Sequence, residues 1–142
     1  MVLFLRNGKL VVAGGKLRQR GQRIVTITPS DLTFSATFIS ELSPVGTTVG
    51  RVDVYDPDAT SWTFEIVNQS TSNLFVFAGG STASTGGHAI VVTDRQVPTR
   101  SISQVQTVTI RVTDSRGASY TETFSLTVLE ASVNPAPVNI TL

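Results

Sequence analysis

Thr107-Val108-Thr109-Ile110-Arg111-Val112-Thr113, followed shortly by Thr123-Phe124-Ser125-Leu126-Thr127-Val128, decides the fold. In both stretches apolar residues alternate with hydroxylated or charged ones. Side chains on a strand change face at every residue, so this pattern buries one face and wets the other. Upstream, Trp62, Phe64 and Ile66 alternate with Thr63, Glu65 and Val67, and Val52 and Val54 alternate with Arg51 and Asp53. Residues 74–77 form a continuous apolar run, a Gly/Ser/Thr loop spans 78–87, and residues 89–92 read as the next strand. Residues 24–38 read as one strand or two, with a break near Thr28-Pro29-Ser30-Asp31. Turn signals every 8–12 residues, with no helical period, predict a seven-stranded Greek-key sandwich of all-β class.

The 142 residues fit one such domain with some forty to spare. Charged residues are 15% of the chain, below the roughly 25% of ordinary soluble domains. Thr and Ser fill the polar positions, which suits the wet face of a pleated sheet. There is no cysteine, which excludes disulfides, thiolate metal sites and thiol nucleophiles. No apolar run approaches the length of a membrane span, and no secretion signal is read at the N-terminus, because Val2-Leu3-Phe4-Leu5 is short and Arg6 interrupts it.

Charge divides the chain. Arg6, Lys9, Lys16, Arg18, Arg20 and Arg23 give +6 before residue 24 with no acid among them; the other five basic residues face all ten acids, which leaves −5. Within the basic segment, Val2-Leu3-Phe4-Leu5 and Leu10-Val11-Val12-Ala13 flank Asn7-Gly8, the preferred pair for a type I′ hairpin turn. Two strands alone are marginal in water, so this hairpin needs a surface to lie against. Three segments are expected: a basic hairpin arm at 1–23, the sandwich at 24–130, and a Pro-containing extended tail at 131–142.

Ile39-Ser40-Glu41-Leu42-Ser43-Pro44-Val45-Gly46-Thr47-Thr48-Val49-Gly50, Tyr55-Asp56-Pro57-Asp58, Thr93-Asp94-Arg95-Gln96 and Val112-Thr113-Asp114-Ser115-Arg116-Gly117 occur in the order and spacing of a cadherin-like repeat. The chain resembles repeats of that immunoglobulin-like kind from bacterial surface proteins. The resemblance runs from about residue 28 to 129, and Pro135-Ala136-Pro137-Val138-Asn139-Ile140-Thr141-Leu142 resembles the opening of a following repeat. It implies Ca²⁺ as a cofactor, with Glu41, Asp94 and Gln96 as one half-site and Asp56, Asp58 and Asp114 as the other. Three features depart from the family pattern: Gln96 stands where an acid is expected, the tail lacks an Asp-rich linker, and no second repeat lies on the chain. The same carboxylates also suit turns, where they accept nearby backbone amides.

Enzymatic signatures are absent. His88, the one histidine, follows Gly86-Gly87 at a strand start and reads as a solvated loop residue with no partner at catalytic spacing. Asp56 and Asp58 share one turn without implying a cleft. The Gly-rich stretches adjoin strands, so they are no phosphate cradle. With Phe4 as its one aromatic, the basic arm lacks a base-stacking platform, and no specific nucleic-acid partner is expected.

The sequence therefore predicts a non-enzymatic structural or binding module. The leading expectation is a virion decoration protein, made in the host cytoplasm and anchored to a capsid or tail surface by its arm. Leu3, Phe4 and Val11 would bury their side chains there, and Arg6, Lys9, Lys16, Arg18, Arg20 and Arg23 would meet an acidic surface. Arm exchange between copies would make it a homo-oligomer. The alternative is a cell-surface adhesion module, extracellular, binding a glycan or Ca²⁺.

Overall fold

The computed structural model describes residues 27–132 in full and residues 2–6 and 9–13 as backbone strands. β1 (Val2–Arg6) and β2 (Lys9–Ala13) pair antiparallel, with Arg6 opposite Lys9, the register of a two-residue connection. They form a two-stranded sheet of their own. Asn7-Gly8, the connector at 14–26 and the tail at 133–142 lie outside the described residues.

The remaining nine strands are β3 (Asp31–Phe34), β4 (Phe38–Ser40), β5 (Thr48–Tyr55), β6 (Trp62–Gln69), β7 (Phe75–Phe77), β8 (Thr82–Ser84), β9 (His88–Thr93), β10 (Val105–Asp114) and β11 (Ser119–Leu129). They form two sheets, β4-β11-β10-β6-β8 and β3-β5-β9-β7. No helix occurs among the described residues. The all-β sandwich is as expected, but it holds nine strands rather than seven. β8 falls inside the expected 78–87 loop, where three residues pair with the start of β6.

The first strand of the sandwich divides, and the division lies at residues 35–37 rather than near 28–31. β3 runs antiparallel to β5, and β4 then runs parallel to β11 in the opposite sheet. Gly50 permits this crossing. A Cβ there would come within 2.9 Å of Ala36 Cβ, Phe34 Cε2 and Ser35 Oγ, so the chain passes where no side chain fits. Ser35 fixes the corner by donating its N–H to Arg51 O and accepting the Arg51 N–H on Oγ.

β10 runs between β11 and β6 and carries the core. Its even-numbered residues, Gln106, Val108, Ile110, Val112 and Asp114, are all buried. Across the sandwich they meet Leu32, Val52, Phe75, Phe77 and Val91, and Phe64 lies edge-on to Phe77 with ring centroids 6.1 Å apart. The alternations at 107–113 and 62–67 predicted these inward faces.

Candidate functional site

The acids of the expected half-sites lie at opposite ends of the sandwich. At the end formed by the β5–β6 link and the β10–β11 turn, Asp56 Oδ2 accepts the Trp62 indole N–H at 2.9 Å, and Asp56 Oδ1 accepts the Asp58 N–H at 3.3 Å. Trp62 is in turn paired with Asp114 in the β6–β10 ladder. Asp114 organises the turn that follows it. Its Oδ1 accepts the N–H groups of Arg116 and Ala118, both at 2.8 Å, while Gly117 adopts φ +90°, a conformation that favours glycine. Asp58 Oδ2 accepts the Ile27 N–H at 3.2 Å and a hydrogen bond from the Arg116 guanidinium. Burial pushes the Asp58 pKa up, but the Ile27 N–H, Asp56 and Arg116 together outweigh it and hold the carboxyl below its ordinary value.

The structure thus brings Asp56, Asp58 and Asp114 to one pole, with turn hydrogen bonds on most of their oxygens. Two buried oxygens, Asp58 Oδ1 and Asp114 Oδ2, have no partner. Ca²⁺ takes six to eight oxygens at about 2.3–2.6 Å. Among the described residues, no three acidic or histidine side chains are gathered closely enough to hold a metal. The described side chains at this pole do not by themselves form a Ca²⁺ site.

At the other end, Glu41 ties three segments together. Its N–H donates to Leu129 O, its Oε2 accepts the Arg100 N–H at 2.6 Å, and its Oε1 accepts the Ala131 N–H at 3.2 Å. These bonds, that from Arg100 foremost, hold its pKa below the ordinary value. Gln96 donates its amide to Leu42 O, whereas exposed Asp94 is anchored through its backbone N–H to Leu74 O. Glu41, Arg100 and Glu130 line an open polar hollow of about 560 Å³. The expected trio of Glu41, Asp94 and Gln96 is not drawn together by side-chain bonds.

The cleft between β6 and β7, about 310 Å³, is lined by Phe64, Ile66, Phe75 and Phe77, and its acid, Glu65, is paired with Arg111. Exposed His88 places Nδ1 3.2 Å from Gly86 O. The outer face of the five-stranded sheet is more suggestive of contact. Phe38 lies opposite Thr127, Thr127 lies opposite Val105, and Leu129 shares the face of Thr127 two residues on. Phe38, Val105 and Leu129 are all exposed, as is Ile102 in the loop before β10. The side chains of Leu3, Phe4, Arg6, Lys9 and Val11, and residues Lys16, Arg18, Arg20 and Arg23 altogether, lie outside the described residues.

Sequence reasoning missed Trp62 and Arg116 as partners of the acids. Arg116 carried a signal, since it sits within the Asp-x-x-Gly turn; which acid it would reach is a tertiary fact.

No protein-family model matches the sequence, and no curated protein matches it. Solved structures do. A protocadherin gammaB7 EC3-6 cis-dimer structure is 28% identical with a TM-score of 0.55, over 75% of this chain and 25% of that one. PcdhgB3 EC1-4 is 22% identical with a TM-score of 0.58, over 74% and 25%. The human desmocollin-1 ectodomain is 19% identical with a TM-score of 0.51, over 69% and 20%. The chain spans about a quarter of the length of the two protocadherin structures. Its described sandwich therefore has a cadherin-like fold.

Proposed function

We propose that this chain is a non-enzymatic adhesion module acting outside the cell, and that it binds a protein partner, a second copy included, through the outer face of its five-stranded sheet. The similarity to the protocadherin cis-dimer structure, 28% identical over three quarters of the chain, carries this reading. The exposed row of Phe38, Val105 and Leu129 supplies an apolar surface of the sort that marks protein contacts. Bead clustering and sedimentation of the full chain test it. Coated beads should cluster, and the soluble protein should self-associate at micromolar concentration. Replacing Phe38 and Val105 by Glu should weaken both at least about tenfold, the effect of losing a central apolar anchor. A monomeric wild type whose beads stay dispersed would overturn the proposal.

A second reading, a virion decoration protein, draws on the hairpin register of β1 and β2 and on the +6 charge before residue 24. Here the arm would attach to an acidic capsid or tail surface and the sandwich would project from it.

A further inference from the structure

Asp56, Asp58 and Asp114 bring three carboxylates to one pole: Trp62, which donates to Asp56, lies opposite Asp114 in the β6–β10 ladder, and Arg116 hydrogen-bonds to both Asp114 and Asp58. Asp114 is only 5% exposed, and its Oδ2 has no partner; Asp58 Oδ1 is likewise buried and unpartnered. Buried carboxylate oxygens left without donors are costly, so such a pole favours a cation nearby. The cation that the structure supplies is a side chain. Arg116 follows Asp114 by two residues in the tight turn. Its backbone N–H is fixed on Asp114 Oδ1, and its guanidinium reaches across to Asp58 Oδ2. We infer that the Arg116 guanidinium is a resident cation that, through Asp58, offsets part of the negative charge of this pole in place of a divalent metal ion, so that the sandwich closes here without metal.

Oxygen supply separates the two cations. Both Asp56 oxygens already accept N–H groups, as do Asp58 Oδ2 and Asp114 Oδ1. Only Asp58 Oδ1 and Asp114 Oδ2 accept no N–H, so a Ca²⁺ ion here would have to compete with bound donors for the other four oxygens or reach its roughly six ligands through backbone carbonyls and water. A guanidinium instead offers directional N–H donors, keeps its charge at every accessible pH, and is tethered by the chain. Its side chain is 40% exposed and that of Asp58 20% exposed, so the contact also lies within reach of an ion from solution. Removing the positive charge leaves the three carboxylates at this pole without a guanidinium partner and frees Asp58 Oδ2 of one donor. Both changes raise the pole's attraction for a hard divalent ion.

The experiment compares full-length wild type, Arg116→Gln and the double variant Arg116→Gln/Asp58→Asn. Thermal melting is followed in chelator and in about 5 mM Ca²⁺, a range in which weak carboxylate sites fill. Ca²⁺ binding is measured separately by titration calorimetry. Wild type should melt alike in both media. Arg116→Gln should melt lower in chelator, recover in Ca²⁺, and bind the ion at least about tenfold more tightly than wild type. The double variant should lose that gain. A wild type that Ca²⁺ stabilises as strongly as Arg116→Gln overturns the inference, and so does an Arg116→Gln chain that melts like wild type and gains nothing from the ion. Should Arg116→Gln fail to fold in either medium, Arg116→Lys decides. Folding indifferent to Ca²⁺ upholds the inference, and folding that requires Ca²⁺ overturns it. Bead clustering is a separate readout, so failure here leaves the adhesion proposal to its own test.

Discussion

Glu41 receives two backbone N–H groups from segments far away in sequence, those of Arg100 and Ala131, and its own N–H goes to Leu129. These donors favour the ionised carboxylate, so its pKa in the folded chain lies below the ordinary 4.5. A carboxylate shifted in this direction stabilises the fold fully above its unfolded pKa. That contribution disappears as pH falls through the lower, folded value. Asp58 behaves in the same sense from its ordinary 3.8, so two groups make the sandwich acid-sensitive. In a pH series of thermal melts, wild type should exceed Glu41→Gln by a few degrees near neutrality. The gap should narrow below about pH 4.5 as both side chains become neutral. A gap that is constant with pH would mean that Glu41 acts through packing rather than through its charge.

At the scale of elements, β7 exposes its backbone at the edge of the four-stranded sheet, and a side chain from the opposite sheet covers it. Gln69, the last residue of β6, accepts the Phe75 N–H on Oε1 at 2.8 Å and donates Nε2 to Phe75 O at 3.4 Å. One amide thus replaces a missing strand neighbour, which guards the edge against foreign pairing. Gln69→Ala would leave those groups, at a residue that is almost fully buried, without partners. The expected cost is about 1–3 kcal/mol, read by denaturant unfolding, with faster hydrogen exchange at the Phe75 amide. Such contacts explain which elements could be read in advance. β6, β10 and β11 are long enough for their own alternation to declare their faces. β4 and β8 are three residues each and exist because longer neighbours pair with them. The break in the first strand was expected too early, near 28–31, because Gly50, on another strand, makes room for it at 35–37. The same holds at the acidic pole. The Asp residues stood out by their spacing, but Arg116 reads alone as a solvated turn residue, and only folding brings it 58 positions back to Asp58.

For the whole molecule, the question is how the +6 segment relates to the −5 remainder. Among the described residues, the buried core cluster runs from Leu32 to Val128 and draws on both larger sheets. The β1–β2 ladder belongs to neither sheet. A hairpin of two strands is marginal on its own in water, whereas the sandwich fills its interior with Phe64, Phe75, Leu74, Leu126, Ile110 and six fully buried valines. Removing residues 1–23 should leave a chain that unfolds cooperatively within a few degrees of the full-length protein, since a loss of 1 kcal/mol moves the midpoint by roughly 2–8 °C in domains near this size. Calorimetry measures the midpoint, and the near-ultraviolet signal of buried Trp62 reports whether the core stays packed. A large drop, or a lost Trp62 signal, would make the arm part of the folding unit and weaken any anchoring role. With the core intact, the truncated chain also separates the two functional readings. Adhesion through Phe38, Val105 and Leu129 should survive the loss of the arm, whereas attachment to a particle through the basic segment should vanish with it.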